Sequence, residues 1–172
     1  EGLGSSDLSM IPTLLGTEVD GAGLVEPPHD LEINEVFAGS GPAEGFVEIH
    51  NEGAQAADLS GFRIVTSAAA SGGYAFPAGA TIAAGARRVV PAAGLPFALT
   101  DTAQWLGLVT PDLRFVDGVE TRARPAGRSW GRYPDGDGDT FVLASPTPGA
   151  AHTVALKQSV VIDEIRYHPP FA

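Results

Sequence analysis

The sequence has no cysteine, one lysine and no long apolar run. Without cysteine there are no disulfides, no thiolate metal ligands and no cysteine nucleophile. No uninterrupted apolar stretch approaches the roughly 20 residues that cross a bilayer, so membrane insertion is not expected. The net charge of −11 repels phosphate backbones, so nucleic-acid binding by charge is not expected either.

Short apolar runs with period-two alternation, separated by glycine and proline, indicate many short strands. In Leu31–Phe37, for example, apolar Leu31 and Ile33 alternate with polar Glu32 and Asn34. Nine such runs recur along the chain, at 31–37, 46–49, 61–66, 74–76, 87–90, 104–109, 113–116, 128–133 and 141–143. Their spacing of about ten residues predicts an all-β sandwich. One helical turn is expected near Phe97–Ala103, where Thr100 and Asp101 could cap or close it.

One segment of the sequence occurs twice, since Leu31–Phe37 (LEINEVF) and Val160–Tyr167 (VVIDEIRY) share a strand pattern. We therefore expect a linker or docking segment over residues 1–30, a sandwich domain over 31–152, and a linker plus the truncated first strand of a second copy over 153–172. Residues 144–159 have the composition of an exit linker. Because unpaired strands recruit sheet edges, Val160–Tyr167 is predicted to add to the sandwich or to pair with a neighbouring molecule.

Several short motifs follow one another between Leu31 and His152. They are Ile33–Val36, Phe46–Asn51, Asp58–Phe62, Tyr74–Gly79, Val116–Asp117, Gly131–Asp135 and Ala144–Gly149. In this order they resemble the bacterial lamin-tail domain family. Val160–Pro170 is similar to the opening of a second copy, in line with the repeat.

The resemblance implies an immunoglobulin-like β-sandwich within a larger bacterial protein that is extracellular or attached to the cell surface, with its signal peptide outside this fragment. It predicts a non-catalytic interaction or spacer module that binds protein or carbohydrate partners. The alternative that it leaves open is a calcium-binding accessory domain attached to an extracellular hydrolase or kinase-like enzyme.

The acidic turn at Asp135-Gly-Asp-Gly-Asp139 carries the calcium prediction. Carboxylates at Asp135, Asp137 and Asp139 could surround a hard cation with oxygen ligands. An EF-hand loop would need glycine at its sixth position and glutamate at its twelfth, where this chain has Thr140 and Pro146. A plain hairpin turn, in which Asp-Gly pairs supply positive φ angles, is therefore the favoured interpretation.

Three further patterns are interpreted as structural. Gly127–Gly131 matches the G-x-S-x-G nucleophile pattern, but no helix can follow Ser129, so the match is attributed to chance. Glu35 and Glu48 could approach each other for acid–base chemistry, although the alternation favours the solvent face of a half-buried sheet. The histidines are scattered, and no His-carboxylate motif is evident. Four arginines between Arg122 and Arg132 are expected to pair with nearby acids on the sheet surface rather than to bind an acidic partner.

Overall fold

The computed structural model describes residues 30–41, 44–66, 72–136 and 138–153. These residues form eleven β-strands and one 3₁₀ turn, Ala92–Gly94. The strands are β1 Leu31–Phe37, β2 Phe46–Asn51, β3 Ala57–Asp58, β4 Arg63–Thr66, β5 Tyr74–Ala75, β6 Thr81–Ile82, β7 Arg87–Pro91, β8 Gln104–Val109, β9 Phe115–Thr121, β10 Ser129–Arg132 and β11 Thr140–Leu143. Among the described residues, no helix is long and apolar enough to cross a membrane.

The strands form three antiparallel sheets. A five-stranded sheet has the order β11-β10-β1-β2-β7, a four-stranded sheet has the order β5-β4-β8-β9, and β3 pairs with β6 in a short ribbon. This architecture confirms the predicted all-β, immunoglobulin-like sandwich. Two strands, β3 and β6, are additional to the nine predicted, because two residues are too few to show alternation.

The core lies between the inner faces of the two larger sheets. Alternate residues of β1 and β2 face those of β4 and β8, because side chains on a strand point to opposite faces in turn. The buried core residues of these strands are Leu31, Ile33, Val36, Val47, Ile49, Ile64, Leu106 and Leu108. Burying one such side chain contributes about 1.5–3 kcal/mol, so this layer is the main source of stability.

The helical turn that the sequence predicts at Phe97–Ala103 is not formed, and the 3₁₀ turn lies just before it at Ala92–Gly94. The Thr100 backbone amide donates a hydrogen bond to the Gln104 side chain (3.2 Å). The Gln104 amide in turn donates to the Ala98 carbonyl (2.9 Å). Side-chain bonds of this kind satisfy backbone groups without a helix.

A β-bulge in β1 determines which side chains share the outer face of the five-stranded sheet. The pairing of β1 with β2 shifts by one residue between Ile33 and Glu35. The extra residue, Asn34, therefore lies beside Glu35 on the outer face, while Ile33 and Val36 both reach the core. The Ile33 amide, released from the ladder at this point, donates to the Asp117 carboxylate at 2.7 Å.

Residues 144–153, which we call the C-terminal segment, lie against this outer face. The interpretation of these residues as part of an exit linker is wrong, because Thr147, Gly149 and His152 all bond to strand residues. Three other predictions concern residues outside the described ones: the linker over 1–30, of which only Asp30 is described, the Asp137 ligand, and the strand Val160–Tyr167.

Candidate functional site

The outer face of the five-stranded sheet carries a buried polar cluster, formed by Asn34, Glu35, Glu48, Ser129, Asp135 and His152. Glu35 and Glu48 are directly opposite each other across β1 and β2, and their exposed fractions are 1% and 0%. The expectation that they face solvent is therefore wrong. Alternation correctly places them away from the core, but the C-terminal segment covers them.

Glu35 is held by donors from two separate parts of the chain. The Ser129 hydroxyl donates to Oε1. The Thr147 amide donates to both oxygens at 3.1 Å, and the Thr147 hydroxyl donates to Oε2 at 3.1 Å. A carboxylate with several donors can be buried because its lost hydration is replaced.

Glu48 anchors the next part of the C-terminal segment. Its oxygens accept hydrogen bonds from the Asn34 side chain at 3.0 Å and from the Gly149 amide at 2.6 Å. Arg87 Nε lies 3.8 Å away. Burial raises the pKa of Glu48 above its ordinary value, and the bonds from Asn34 and Gly149 oppose this rise only in part.

His152 fixes the end of the segment over the sheet. Its Nδ1 lies 2.5 Å from the Arg132 carbonyl and 3.0 Å from Asp135 Oδ1, so this nitrogen carries a proton. Its Nε2 lies 3.5 Å from Glu35 Oε2. Burial acts to lower the pKa of His152, but the bond to Glu35, the Arg132 carbonyl and the charge of Asp135 together raise it.

The ring of His152 lies directly over Gly131 of β10. A Cβ atom built on Gly131 would approach His152 Cε1 to 2.7 Å, closer than real side chains come. A glycine in a strand often marks such a close approach. Gly131 therefore provides the space in which the imidazole is buried.

Ser129, Glu35 and His152 meet, which the interpretation of the G-x-S-x-G match as chance did not anticipate. Their order does not fit nucleophile activation, since Glu35 stands between the hydroxyl and the imidazole. A serine nucleophile needs the imidazole next to it, with the acid behind. The exposed fractions of Ser129, Glu35 and His152 are 0%, 1% and 6%, so a substrate could not reach them. The arrangement acts as a structural fastening for the C-terminal segment.

The predicted calcium ligands are divided by the fold. Asp135 points inward, where it accepts hydrogen bonds from Arg87 Nη2 at 2.6 Å and from Asn34 at 2.9 Å. Burial acts to raise the pKa of Asp135, but the Asn34 bond and the charges of His152 and Arg87 outweigh it and lower the pKa. Asp139 is exposed, and its carbonyl accepts a bond from the Tyr133 amide. With Asp137 outside the described residues, calcium binding at this turn stays a prediction.

Two of the four arginines between Arg122 and Arg132 form ion pairs within the domain. Arg124 forms an ion pair with Asp101 at 3.2 Å, and Arg132 forms one with Asp117 at 2.7 Å. Both arginines pair within the molecule, as expected, but they are buried rather than on the surface. Arg132 Nε also donates to the Ile33 carbonyl, so this side chain closes the gap that the bulge opens in β1.

An aromatic platform covers the outer face of the four-stranded sheet; it consists of Trp105, Gly107, Phe115 and Gly118. The two rings are stacked, with centroids 6.4 Å apart and planes 21° apart. Gly107 and Gly118 are paired residues of β8 and β9, and a Cβ on Gly107 would overlap the Trp105 ring. The rings can therefore lie flat on the sheet, where Phe115 is 37% exposed.

Sequence reasoning missed the platform, the roles of His152 and Thr147, and the clustering of histidines with carboxylates. Glycine at the centre of two neighbouring strands was the available signal for the platform, since it marks close approach of another group. For His152 and Thr147 no local signal existed, because their partners in β1 and β2 are about 100 residues away in the chain.

The family model for the Lamin Tail Domain matches residues 25–169, which is most of the chain. The resemblance drawn from the short motifs is thereby confirmed, and so is the immunoglobulin-like fold class. The domains of this family are immunoglobulin-like and non-enzymatic. Comparisons with curated proteins and with solved structures gave no match.

Proposed function

The chain belongs to the lamin tail domain family, and we propose that it is an interaction module of a larger secreted or cell-surface protein that binds carbohydrate through the aromatic platform. The observation that carries this proposal is the flat, partly exposed pair of Trp105 and Phe115 on a floor of glycine. The groups that could do chemistry are elsewhere, because Glu35, Glu48 and Ser129 are buried under the C-terminal segment.

The geometry of the platform suits a sugar ring. Aromatic faces carry partial negative charge, and the apolar face of a pyranose presents C–H groups with partial positive charge. Two rings tilted by only 21° offer a nearly continuous surface to such a face.

Charge favours a neutral partner. The chain has a net charge of −11, and Glu120 is directly opposite Trp105 on the same face of the sheet. A polyanion such as nucleic acid would be repelled here. The Glu120 carboxylate can instead accept hydrogen bonds from sugar hydroxyls at the edge of the platform.

The two tryptophans make the test direct. In a Trp130→Phe background, Trp105 is the sole tryptophan, so quenching or enhancement of its fluorescence reports binding at the platform. We expect neutral polysaccharides to change this signal and to retard the domain in affinity electrophoresis. Trp105→Ala should abolish the retardation.

Gly107→Ala is the sharper variant because it keeps both aromatic rings. The added Cβ would force the Trp105 ring off the sheet, so binding should weaken while the fold persists. Arg128→Gln, at an exposed site before β10, is the matched control and should bind as the unmodified domain does. Retardation that survives both Trp105→Ala and Gly107→Ala would overturn the proposal, as would binding to a protein partner but to no glycan.

A further inference from the structure

A second histidine-carboxylate cluster lies near the end of β1 and β2, beside the buried polar cluster. Glu32 and His50 are paired directly across the two strands, and Glu52 comes directly after β2. The nearest carboxylate and imidazole atoms of the three residues all lie within 4.8 Å of one another. Glu32 and His50 are buried, whereas Glu52 is exposed.

Two atoms of this cluster have unmet bonding capacity. Among the described residues, neither Glu32 Oε1 nor His50 Nδ1 has a hydrogen-bond partner, although both are shielded from solvent. They face each other at 3.7 Å, and the His50 side chain is 9% exposed. Buried polar atoms without partners are rare in folded proteins, and an ion that bridges two such atoms satisfies both of them.

The His50 ring presents a nitrogen atom to the Glu32 carboxylate. Its Nδ1 is shielded from solvent, has no hydrogen-bond partner among the described residues and lies 3.7 Å from Glu32 Oε1. A neutral imidazole nitrogen in such a position can bind a metal ion through its lone pair.

The backbone of the acidic turn covers the cluster at Gly136, where φ is +86°. A Cβ at this position would overlap the Glu52 carboxylate and lie 2.8 Å from Glu32 Oε1. The acidic turn Asp135–Asp139, which the sequence predicts as a possible calcium site, thus begins directly over Glu32 and Glu52. Its own Asp135 carboxylate is directed to Arg87 and Asn34 instead.

We propose that Glu32, His50 and Glu52 bind a divalent transition-metal ion of the zinc class, with solvent in a fourth position. Ligands about 2.1 Å from a tetrahedral ion are about 3.4 Å apart, close to the 3.7 Å between Glu32 Oε1 and His50 Nδ1. An imidazole ligand selects zinc-like metals over calcium. The exposed Glu52 gives the ion a route of entry, and its movement can close the coordination sphere.

The charges around the cluster also favour a cation. Negative charge from Glu52, Asp117 and Asp135 acts on Glu32, and Arg132 Nε, 3.4 Å from Glu32 Oε2, opposes it. A bound cation offsets the repulsion among these acids.

The buried trio Glu35, Glu48 and His152 is the competing place for an ion, since its ligand atoms also lie within 4.8 Å of one another. Its carboxylates, however, already accept bonds from Ser129, Thr147, Asn34 and Gly149. A metal there would have to displace the C-terminal segment. The cluster at Glu32 requires no such displacement.

The test is calorimetric titration of the chelator-treated 172-residue chain with zinc chloride, repeated with calcium chloride. We expect one zinc ion per chain and much weaker calcium binding. Glu52→Gln, an exposed and isosteric change, should weaken zinc binding at least about tenfold, and His50→Gln should do the same. Glu44→Gln, at an exposed acid before β2, is the matched control and should leave binding unchanged.

Cobalt absorption gives a second measurement that does not depend on stability. Visible bands of a four- or five-coordinate ion should appear with the unmodified chain and be lost in Glu52→Gln. Three results would overturn the proposal: no zinc binding up to about 1 mM, calcium binding tighter than zinc, or zinc binding that is unchanged in both Glu52→Gln and His50→Gln. The last result would place the ion at other histidines.

Discussion

Replacement of Glu35 by glutamine tests whether the buried polar cluster is a fastening. The change keeps the shape of the side chain but removes its charge and turns one acceptor oxygen into a donor NH₂ group. In the unmodified domain Glu35 accepts from Ser129 and Thr147 and faces His152 Nε2. In the variant, one of these donors meets another donor, and His152 Nε2 loses the carboxylate that faces it.

The expected cost follows from these contacts. Loss of a hydrogen bond to a charged group costs about 1.5–3 kcal/mol, and both Ser129 and Thr147 donate to this carboxylate. Because these effects share one carboxylate, they do not add fully. We expect Glu35→Gln to lower the free energy of unfolding by about 3–5 kcal/mol, a large part of the 5–15 kcal/mol that is usual for a domain.

Urea denaturation followed by circular dichroism measures this loss. With an m-value of about 2 kcal/mol per molar urea, the midpoint should fall by about 2 M while m stays constant. Thr147→Val, which removes only the hydroxyl bond, should cost about 1 kcal/mol. Glu120→Gln, at an exposed position, should stay within about 0.5 kcal/mol of the unmodified domain.

A fall of less than about 1 kcal/mol in Glu35→Gln would refute this reasoning. It would mean that the C-terminal segment can detach without loss of the sandwich, and that the carboxylate is hydrated in its absence. Hydrogen exchange at Thr147 and His152 would then be fast in the unmodified domain as well.

Three further predictions concern pH, calcium and strand pairing. Burial raises the pKa of Glu32 from 4.5 to about 8 and also raises that of Glu48, so the folded state keeps protons that the unfolded chain releases. Stability should therefore fall as pH rises from 4.5 to about 8, by at most about 1.4 kcal/mol per pH unit for each group. Glu32→Gln should be more stable than the unmodified domain at pH 9. Urea denaturation at several pH values measures this, and the same pH dependence of the unfolding free energy in both proteins would contradict the prediction. If the acidic turn binds calcium, calorimetric titration should show binding that Asp137→Ala abolishes. Equal heats of binding in both proteins would refute a calcium site at this turn. Hydrogen exchange should show Val160–Tyr167 protected, through pairing with a sheet edge such as β11, where Phe141 is exposed. A segment that is unprotected at every protein concentration would refute this pairing.

The sequence was sufficient to predict the strands and the class of the fold. Each of the nine predicted runs overlaps a strand, because a two-sided sheet forces apolar residues into alternation. Alternation also predicted correctly that Glu35 and Glu48 lie on the face of the sheet that points away from the core. It could not show what lies over a sheet, and here the covering residues are Thr147 and His152, far along the chain.

The candidate metal site illustrates the same limit in another form. Carboxylates at alternate positions drew attention to Asp135–Asp139, since local spacing is what a sequence displays. Glu32 Oε1 and His50 Nδ1 are two of the buried atoms that lack a hydrogen-bond partner among the described residues, and strand pairing brings them together. Their register could not be read from residues 32 and 50 alone, since a bulge at Asn34 changes which residues face each other beyond it.

The covering segment also determines where this domain can act. A face with Glu35, Glu48 and His152 would be the natural place for chemistry if it were open, but its bonds to Thr147 and Gly149 use the carboxylates for stability. Any function must then lie on surfaces that the segment leaves exposed. Among the described residues, two such surfaces carry distinctive side chains: the aromatic platform with Trp105 and Phe115, and the exposed Glu52 side of the histidine-carboxylate cluster. Because they belong to different sheets, a platform variant should leave zinc binding intact, and a Glu52 variant should leave glycan binding intact.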